Sequence, residues 1–321
     1  GYLRAQHTGA MGYAAASATS GGVVVKAGGT LELDGSVMQA GANKPYAACG
    51  RYLLEGSGVD GTAGAVRLIN ASSYWAGGNI AILLTGDTTF TADRPERQLD
   101  IRYTARYDMG GHAVTIDGMR FCICNGPAVQ RAGDFVVKNG GHFSSEQTDF
   151  GADAKDRKIA FEDGTGFRVT RIKDGNNHFN LAFAGRSTWY TQNWSDDIFN
   201  PSNVLNGPVD LGGTATIQFQ EANTKAEHNT VELKGKVSGA GGFAVNDGWL
   251  LLSNPSNDFS GLTTVSGKHA HIIAKDWYAL PSATNGNLRV ANNATVEIRL
   301  DPTNHPPSAK IDGELAGYFR N

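Results

Sequence analysis

The stretch YALPSATNGNLRVANNATVEI, residues 278–298, repeats YAAASATSGGVVVKAGGTLEL, residues 13–33, without a gap. Nine of the 21 positions are identical, and three further strand positions are apolar in both copies. An antiparallel sandwich has no reason to repeat its first strands at its far end. In a stacked array, each coil buries its apolar residues only against its neighbours, so repetition is expected. The repeat therefore favours a solenoid over a sandwich.

Short strand patterns between turn-forming residues run along much of the chain. They include GNIAILLTGDTTFTAD (78–93), HAVTIDGMRFCIC (112–124) and GDFVVKNGG (133–141). Glycine is abundant, at 42 of 321 residues, as expected for sharp corners that need positive φ. The sequence predicts an all-β fold, a right-handed single-stranded parallel β-helix (solenoid) with loop excursions. Coils of roughly 20–25 residues would give about 14 coils.

The repeat pattern also suggests how the chain is organised. LKGKVSG (233–239) resembles IDGELAG (311–317), so the chain starts part-way through one unit and stops at the start of another. We expect residues 1–321 to form one continuous β-helix that is a fragment of a longer chain. Residues 93–228 lack a clear repeat and are expected to be less regular, with a loop excursion near 185–203.

Composition excludes several classes of partner. The net charge is −3 and the pI is about 6.3, which gives no basic surface for nucleic acid. No run of about 18 apolar residues occurs, so no transmembrane segment is predicted. Nothing in the sequence predicts a cofactor.

One region carries a family resemblance. VSGAGGFAVNDGWLLLSNPSNDFSGLTTVSG (237–267) resembles the autotransporter-associated (passenger-associated) β-strand repeat of bacterial surface proteins. Residues 12–33, 64–92 and 229–300 share this character, and 93–228 does not. The matching residues are Gly241, Gly242, Leu250, Leu251, Leu252, Asn257, Phe259, Ser260, Gly261, Thr263, Thr264 and Val265.

The resemblance implies a location and a role. Proteins with this repeat usually have a right-handed parallel β-helix passenger that is secreted or displayed at the bacterial cell surface, at the outer membrane. It therefore implies a structural or display segment, adhesin-like, with a host or cell-surface glycan as partner. Because both ends resemble internal coils, end-to-end self-association is also expected.

The alternative is a carbohydrate-active β-helix that binds or cleaves a polysaccharide as a hydrolase or lyase. GGHF (140–143) and RIK (171–173) resemble fragments of polygalacturonases, which also need paired acids upstream of the histidine. The acids upstream of the histidine, Asp100 and Asp117 among them, are isolated rather than paired, and the one Asp-Asp pair, Asp196–Asp197, lies downstream. The sequence therefore assigns no catalytic residue and leaves enzymatic activity open, with a structural role favoured.

The least repeat-like stretch, GRSTWYTQNWSDDIFNPSN (185–203), is the candidate ligand site. Aromatic side chains on loops are typical of recognition sites, because sugars stack on their faces. Burial of the same aromatics in a satellite core is the competing interpretation. The predicted ligand-binding residues are Trp189, Tyr190, Trp194, Asp196 and Asp197.

Cys122 and Cys124 are two of the three cysteines. On a strand they would point to the same face. They would then form a redox pair, half of a metal site, or two small apolar residues in the core. The last interpretation is favoured because no second Cys-x-Cys and no histidine pair completes a ligand set, and no metal site is predicted.

Overall fold

The computed structural model describes residues 1–6, 22–36, 50–76, 80–102, 106–124, 129–146, 148–170, 179–192, 203–212, 216–221, 230–280, 287–291 and 293–298. These residues contain 29 strands and three short 3₁₀ turns. The parallel sheets are arranged as a β-solenoid of about 9 turns, which confirms the predicted all-β parallel β-helix. The chain divides into two compact units, Gly1–Phe167 and Arg168–Asn321.

The first unit stacks parallel strands in two sheets. Its strands are β1 (Tyr2–Ala5), β2 (Val23–Val25), β3 (Thr30–Asp34), β4 (Arg51–Gly56), β5 (Val66–Ile69), β6 (Ser73–Ala76), β7 (Ala81–Ala92), β8 (Gln98–Arg102), β9 (Arg106–Asp108), β10 (Val114–Asp117), β11 (Arg120–Cys124), β12 (Val129–Gln130), β13 (Phe135–Lys138), β14 (His142–Glu146), β15 (Lys158–Phe161) and β16 (Thr165–Thr170), which contains the unit boundary. One sheet follows the order β1, β3, β5, β7, β10, β13, β15, and the other follows β6, β8, β11, β14. The 3₁₀ turns are Val59–Gly61 and Ala152–Asp156.

The second unit stacks its strands in three parallel rows. Its strands are β17 (Asn180–Phe183), β18 (Arg186–Gln192), β19 (Val204–Leu205), β20 (Val209–Leu211), β21 (Thr216–Glu221), β22 (Thr230–Leu233), β23 (Val237–Gly239), β24 (Gly242–Val245), β25 (Trp249–Leu252), β26 (Thr263–Val265), β27 (His271–Ala274), β28 (Leu288–Val290) and β29 (Thr295–Ile298). The rows are β17–β20–β23, β18–β21–β24–β26–β28 and β19–β22–β25–β27–β29. A 3₁₀ turn, Trp277–Ala279, follows β27.

The two copies of the sequence repeat form the same strands. Val23–Val25 corresponds position for position to Leu288–Val290, and the first four residues of Thr30–Asp34 correspond to Thr295–Ile298. Val23 and Leu288 are equivalent, as are Thr30 and Thr295. The repeat therefore marks corresponding strands along the sequence, although β2 and β3 belong to one sheet and β28 and β29 belong to two.

Coil length is where the sequence expectation fails. Glu32 and its partner Arg67 are 35 residues apart, whereas Phe243 and Thr263 are 20 apart. The expected coil of roughly 20–25 residues is too short for part of the chain. The expectation of about 14 coils is therefore wrong, and the solenoid has about 9 turns. The longer coil between Glu32 and Arg67 contains an additional strand, β4, which pairs with β2 and β7, so fewer coils account for the chain than expected.

A row of aromatic rings fills the core of the first unit. Tyr52 stacks on Trp75 with ring centroids 4.6 Å apart, Trp75 meets Phe90 edge-on, and Phe90 lies 4.9 Å from Phe121. All four side chains are fully buried. Burying each of these rings stabilises the fold by about 1.5–3 kcal/mol, so the row is a main source of cohesion between coils.

Candidate functional site

The outer side of strands β8 and β11 carries a cluster of three side chains whose polar and sulfur atoms converge. In β11, Phe121 and Ile123 face the aromatic core. Because successive side chains on a strand alternate, Cys122 and Cys124 lie on the opposite, outer side. The parallel register between β8 and β11 sets Asp100 directly beside Cys122.

All three side chains of this cluster are buried although they face away from the core. Asp100 and Cys124 have no exposed surface, and Cys122 is 6% exposed. One carboxylate oxygen and the two sulfur atoms all lie within 4.8 Å of one another. We call Asp100, Cys122 and Cys124 the thiol–carboxylate cluster. Both cysteines are free thiols.

Hydrogen bonds hold the Asp100 carboxylate in place. Gln98 Nε2 donates to Oδ1 at 2.5 Å, and Arg102 Nη2 donates to Oδ2 at 2.7 Å. The Cys122 thiol also hydrogen-bonds this carboxylate. Gln98 and Arg102 come from the same strand as Asp100, two residues before and after it, because alternate residues share a face. The carboxylate is therefore oriented toward the two thiols.

Burial controls the protonation of the cluster. Burial raises the pKa of Asp100, and hydrogen bonds from Gln98 and charge from Arg102 offset this only in part. The pKa of Cys122 lies well above its usual value, first because of its hydrogen bond with Cys124 and then because of burial. Cys122 is therefore a protonated thiol at neutral pH and is poorly suited to act as a nucleophile.

The sequence predicted half of this cluster. Cys122 and Cys124 do share a face of a strand, as expected, but that face is the outer one rather than the core. Asp100 is isolated in the sequence, and the pairing of β8 with β11 brings it to the cysteines. The signal for it lies in aligning QLDIR (98–102) with RFCIC (120–124), in which the second and fourth residues of both strands are apolar.

The predicted aromatic ligand site is only partly described. Trp189 is fully buried in β18, and its ring stacks on Phe183 with centroids 6.2 Å apart. Tyr190 follows on the opposite face and is half-buried. Of these two aromatics, only Tyr190 offers surface to a ligand. Trp194, Asp196 and Asp197 lie outside the described residues, and the ligand site stays a prediction.

Among the described residues, those that resemble polygalacturonase fragments do not form a site with paired acids. His142 begins β14, is half-buried and pairs in register with Arg120. Arg171 and Lys173 lie outside the described residues. Among the residues that are described, the one group of three histidine, cysteine or acidic side chains with converging ligand atoms is the thiol–carboxylate cluster. That group has a single carboxylate.

Several buried acids on the outer side join neighbouring coils. Glu32 is almost fully buried and accepts a hydrogen bond from Arg4 Nε at 2.7 Å, one coil before it. Arg67, one coil after it, contacts the same carboxylate at 3.4 Å. In the second unit, Lys275 Nζ lies 2.6 Å from Glu232 across 43 residues of chain. The partners of these acids are therefore residues of other coils of the solenoid.

Comparison with protein-family models, with curated protein sequences and with solved structures finds no match for this chain. Within the described ranges, no helix combines the length and the apolar character that crossing a bilayer requires.

Proposed function

We propose that this chain is a structural display segment of a secreted or cell-surface passenger protein, adhesin-like, whose solenoid spaces or presents other parts of the molecule. The observation that carries this proposal is the use of buried outer acids as connections between coils. Glu32 is bound by Arg4 and Arg67 from the two adjacent coils. Its carboxylate is committed to holding the stack together.

A buried acid also connects coils in the second unit, which supports the same proposal. Glu232 accepts hydrogen bonds from Ser253 Oγ at 2.5 Å and from Lys275 Nζ at 2.6 Å, both on later coils. Buried carboxylates that are each held by several donors cannot turn toward a substrate without losing those bonds. This arrangement suits a scaffold whose outer charges maintain the register between coils.

The residues of the family resemblance also serve the stacking. Phe259 is fully buried and packs edge-on against Phe243 of the preceding coil, at 5.3 Å. Gly261 lies so close to Gly241 that a Cβ at Gly261 would overlap the Gly241 backbone. These positions of the repeat therefore fit one coil to the previous one, which is the role that a passenger repeat would need.

The first experiment tests whether the chain is displayed at the cell surface. Intact cells that produce the protein are treated with an external protease, and an antibody against residues 1–167 follows the chain. We expect digestion without lysis, with an internal cytoplasmic protein left intact as the control. Protection until the cells are lysed contradicts the proposal.

The second experiment tests for enzymatic activity. The chain is incubated with pectin, mucin and other host glycans, and new reducing ends or unsaturated products are measured. We expect binding at most and no turnover. Turnover that disappears in Asp196→Asn or Asp197→Asn would make the chain a polysaccharide-cleaving enzyme.

Self-association belongs to the same proposal. Tyr2 and Leu3 on β1 are more than half exposed, as is Val24 on β2, and β1 ends the order of its sheet among the described strands. Exposed apolar residues on a strand at the edge of a sheet favour pairing with other chains. Sedimentation at increasing concentration should show larger species, and Leu3→Lys should reduce them. A strict monomer at all concentrations argues against association.

A further inference from the structure

We propose that the thiol–carboxylate cluster is a binding site for one zinc ion, Zn²⁺, held by Cys122 Sγ, Cys124 Sγ and an Asp100 oxygen. The three donor atoms already lie within 4.8 Å of one another. Tetrahedral zinc, with Zn–S near 2.3 Å and Zn–O near 2.0–2.2 Å, needs donors about 3.3–3.8 Å apart. Small side-chain rotations close that gap, because the strands already set the three residues side by side.

The donor types select the metal. Two thiolates favour zinc and other soft or borderline cations over Mg²⁺ and Ca²⁺, which prefer oxygen ligands alone. Two cysteines and one carboxylate leave the fourth tetrahedral position to water, as in zinc sites with three protein ligands. The site therefore fits a borderline-soft cation.

The charge of the cluster selects a divalent ion. A bound cation displaces the thiol protons, so that two thiolates and the Asp100 carboxylate carry three negative charges, and Arg102 at 2.7 Å contributes one positive charge. A divalent cation brings the sum to zero. A monovalent cation such as Cu⁺ would leave a net negative charge beside Asp100, which has no exposed surface, and burial makes such a charge costly.

The surroundings of Asp100 match those of a metal ligand. Ligating carboxylates are usually held by hydrogen bonds from a second layer of residues, and Gln98 and Arg102 hold one Asp100 oxygen each. One Asp100 oxygen keeps a lone pair for a cation, and loss of the Cys122 thiol proton on metal binding frees a lone pair on the other. The bound ion would join β8 to β11, which lie in adjacent coils.

The two thiols are placed less well for a disulfide than for metal binding. Residues two apart on a strand have Cα atoms about 6.6 Å apart. That is near the upper limit for a disulfide, of about 6.8 Å. Cys122 and Cys124 also pack inside a continuous ladder between β8 and β14, which leaves little room for the strand to buckle. Metal binding needs no such movement.

The experiment uses the full chain, reduced, in a Cys49→Ser background so that two thiols remain. Co²⁺ is added as a spectroscopic probe, and Zn²⁺ affinity is measured by competition with a chelating dye. We expect one ion per chain, a thiolate-to-cobalt charge-transfer band in the near ultraviolet, and the visible bands of tetrahedral Co²⁺. Zn²⁺ should remove the cobalt signal.

Variants then identify the ligands. Outer-layer partners are typically worth about 10- to 100-fold in metal affinity. We therefore expect Cys122→Ser, Cys124→Ser and Asp100→Asn each to weaken Zn²⁺ binding by more than about 100-fold. Gln98→Ala should weaken it by about 10-fold. The control is Asp117→Asn, because the Asp117 carboxylate binds Asn139 and Lys138 and not the cluster. This variant should bind Zn²⁺ with the affinity of the parent.

The outcomes separate a site from nonspecific binding. If a variant fails to fold by circular dichroism, the cobalt spectrum of the parent still decides. A parent without a charge-transfer band overturns the proposal. It is also overturned if Asp117→Asn loses affinity as much as Cys122→Ser does.

Discussion

Arg131 binds the buried carboxylate of Asp108 with both arms of its guanidinium group. Nε donates to Oδ1 at 2.8 Å and Nη2 donates to Oδ2 at 2.7 Å, across 23 residues of chain. Asp108 has no exposed surface, and its Oδ1 also accepts the backbone N–H of Gly110 at 2.9 Å. Arg131 itself has a positive φ of 45°, an uncommon conformation for arginine. One carboxylate therefore ties two coils together and holds the turn that follows β9.

The Asp108 contact should make stability depend on pH. Burial alone would raise the pKa of Asp108, but hydrogen bonds from Arg131, Gly110 and Arg106 outweigh it and lower the pKa below its usual value. A lowered folded-state pKa contributes stability that is present above the unfolded value, near 3.8, and is lost as the pH falls through the folded value. We expect Asp108→Asn to cost about 1–3 kcal/mol at pH 7 and progressively less below about pH 4.

Urea unfolding of the parent and the variant at pH 7 and pH 3 measures this change. Glu96→Gln is the matched control, because Glu96 is more than half exposed and lies 4.0 Å from its partner Arg94. It should change stability by less than about 0.5 kcal/mol at either pH. A gap between Asp108→Asn and the parent that stays constant with pH would contradict the argument.

Close packing at one coil corner gives a second prediction. A Cβ at Gly133 would overlap the carbonyl oxygen of His112 on the preceding coil. Gly133→Ala should therefore push two coils apart and cost about 3 kcal/mol or more. Gly140→Ala is the control, because Gly140 has φ +73° but no atom within 4 Å of an added Cβ. It should cost about 1–2 kcal/mol, from backbone strain alone.

Thermal unfolding distinguishes the two glycine variants. The Gly133 variant should melt well below the Gly140 variant. Equal melting temperatures would mean that the coils at Gly133 separate without cost.

The strand architecture was predictable because local chemistry repeats. Val23 and Leu288 begin corresponding strands, since turn-forming residues precede both, Ser-Gly-Gly in one copy and Asn-Gly-Asn in the other. Coil length was not predictable, because a coil can carry an additional strand: β4 lies between Glu32 and Arg67 and pairs with β2 and β7. The fold class followed from periodicity, and the number of turns did not.

Predicting the candidate site from the sequence required the register between strands as well as the periodicity along them. Alternation along one strand places Cys122 and Cys124 on one face, which the sequence alone predicts. Asp100 joins them only because β8 and β11 pair in a specific parallel register. The same alternation explains Trp189. It sits within β18 rather than on a free loop, and so it points into the core.

The contrast between Trp189 and Tyr190 gives a third prediction. Trp189→Ala removes a fully buried indole that stacks on Phe183, so it should cost about 3–5 kcal/mol. Tyr190→Ala removes a half-buried ring and should cost clearly less, about 1 kcal/mol. Urea unfolding of both variants tests the difference, and glycan binding is measured alongside. Comparable stability losses would contradict the core placement of Trp189.

Asn257, within the motif that resembles the passenger repeat, connects three coils through its side chain. Its Oδ1 accepts the backbone N–H of Val237 at 2.8 Å, and its Nδ2 donates to the carbonyl of Ala279 at 2.9 Å. Val237 and Ala279 are fully buried, so Asn257→Ala leaves a donor and an acceptor without partners and should cost about 1–3 kcal/mol. Asn246→Ala is the control, since Asn246 is exposed and accepts a hydrogen bond from the Ser266 hydroxyl at 3.0 Å, and it should change stability by less than about 0.5 kcal/mol. Urea unfolding compares them, and equal losses would mean that this asparagine does not hold the coils together.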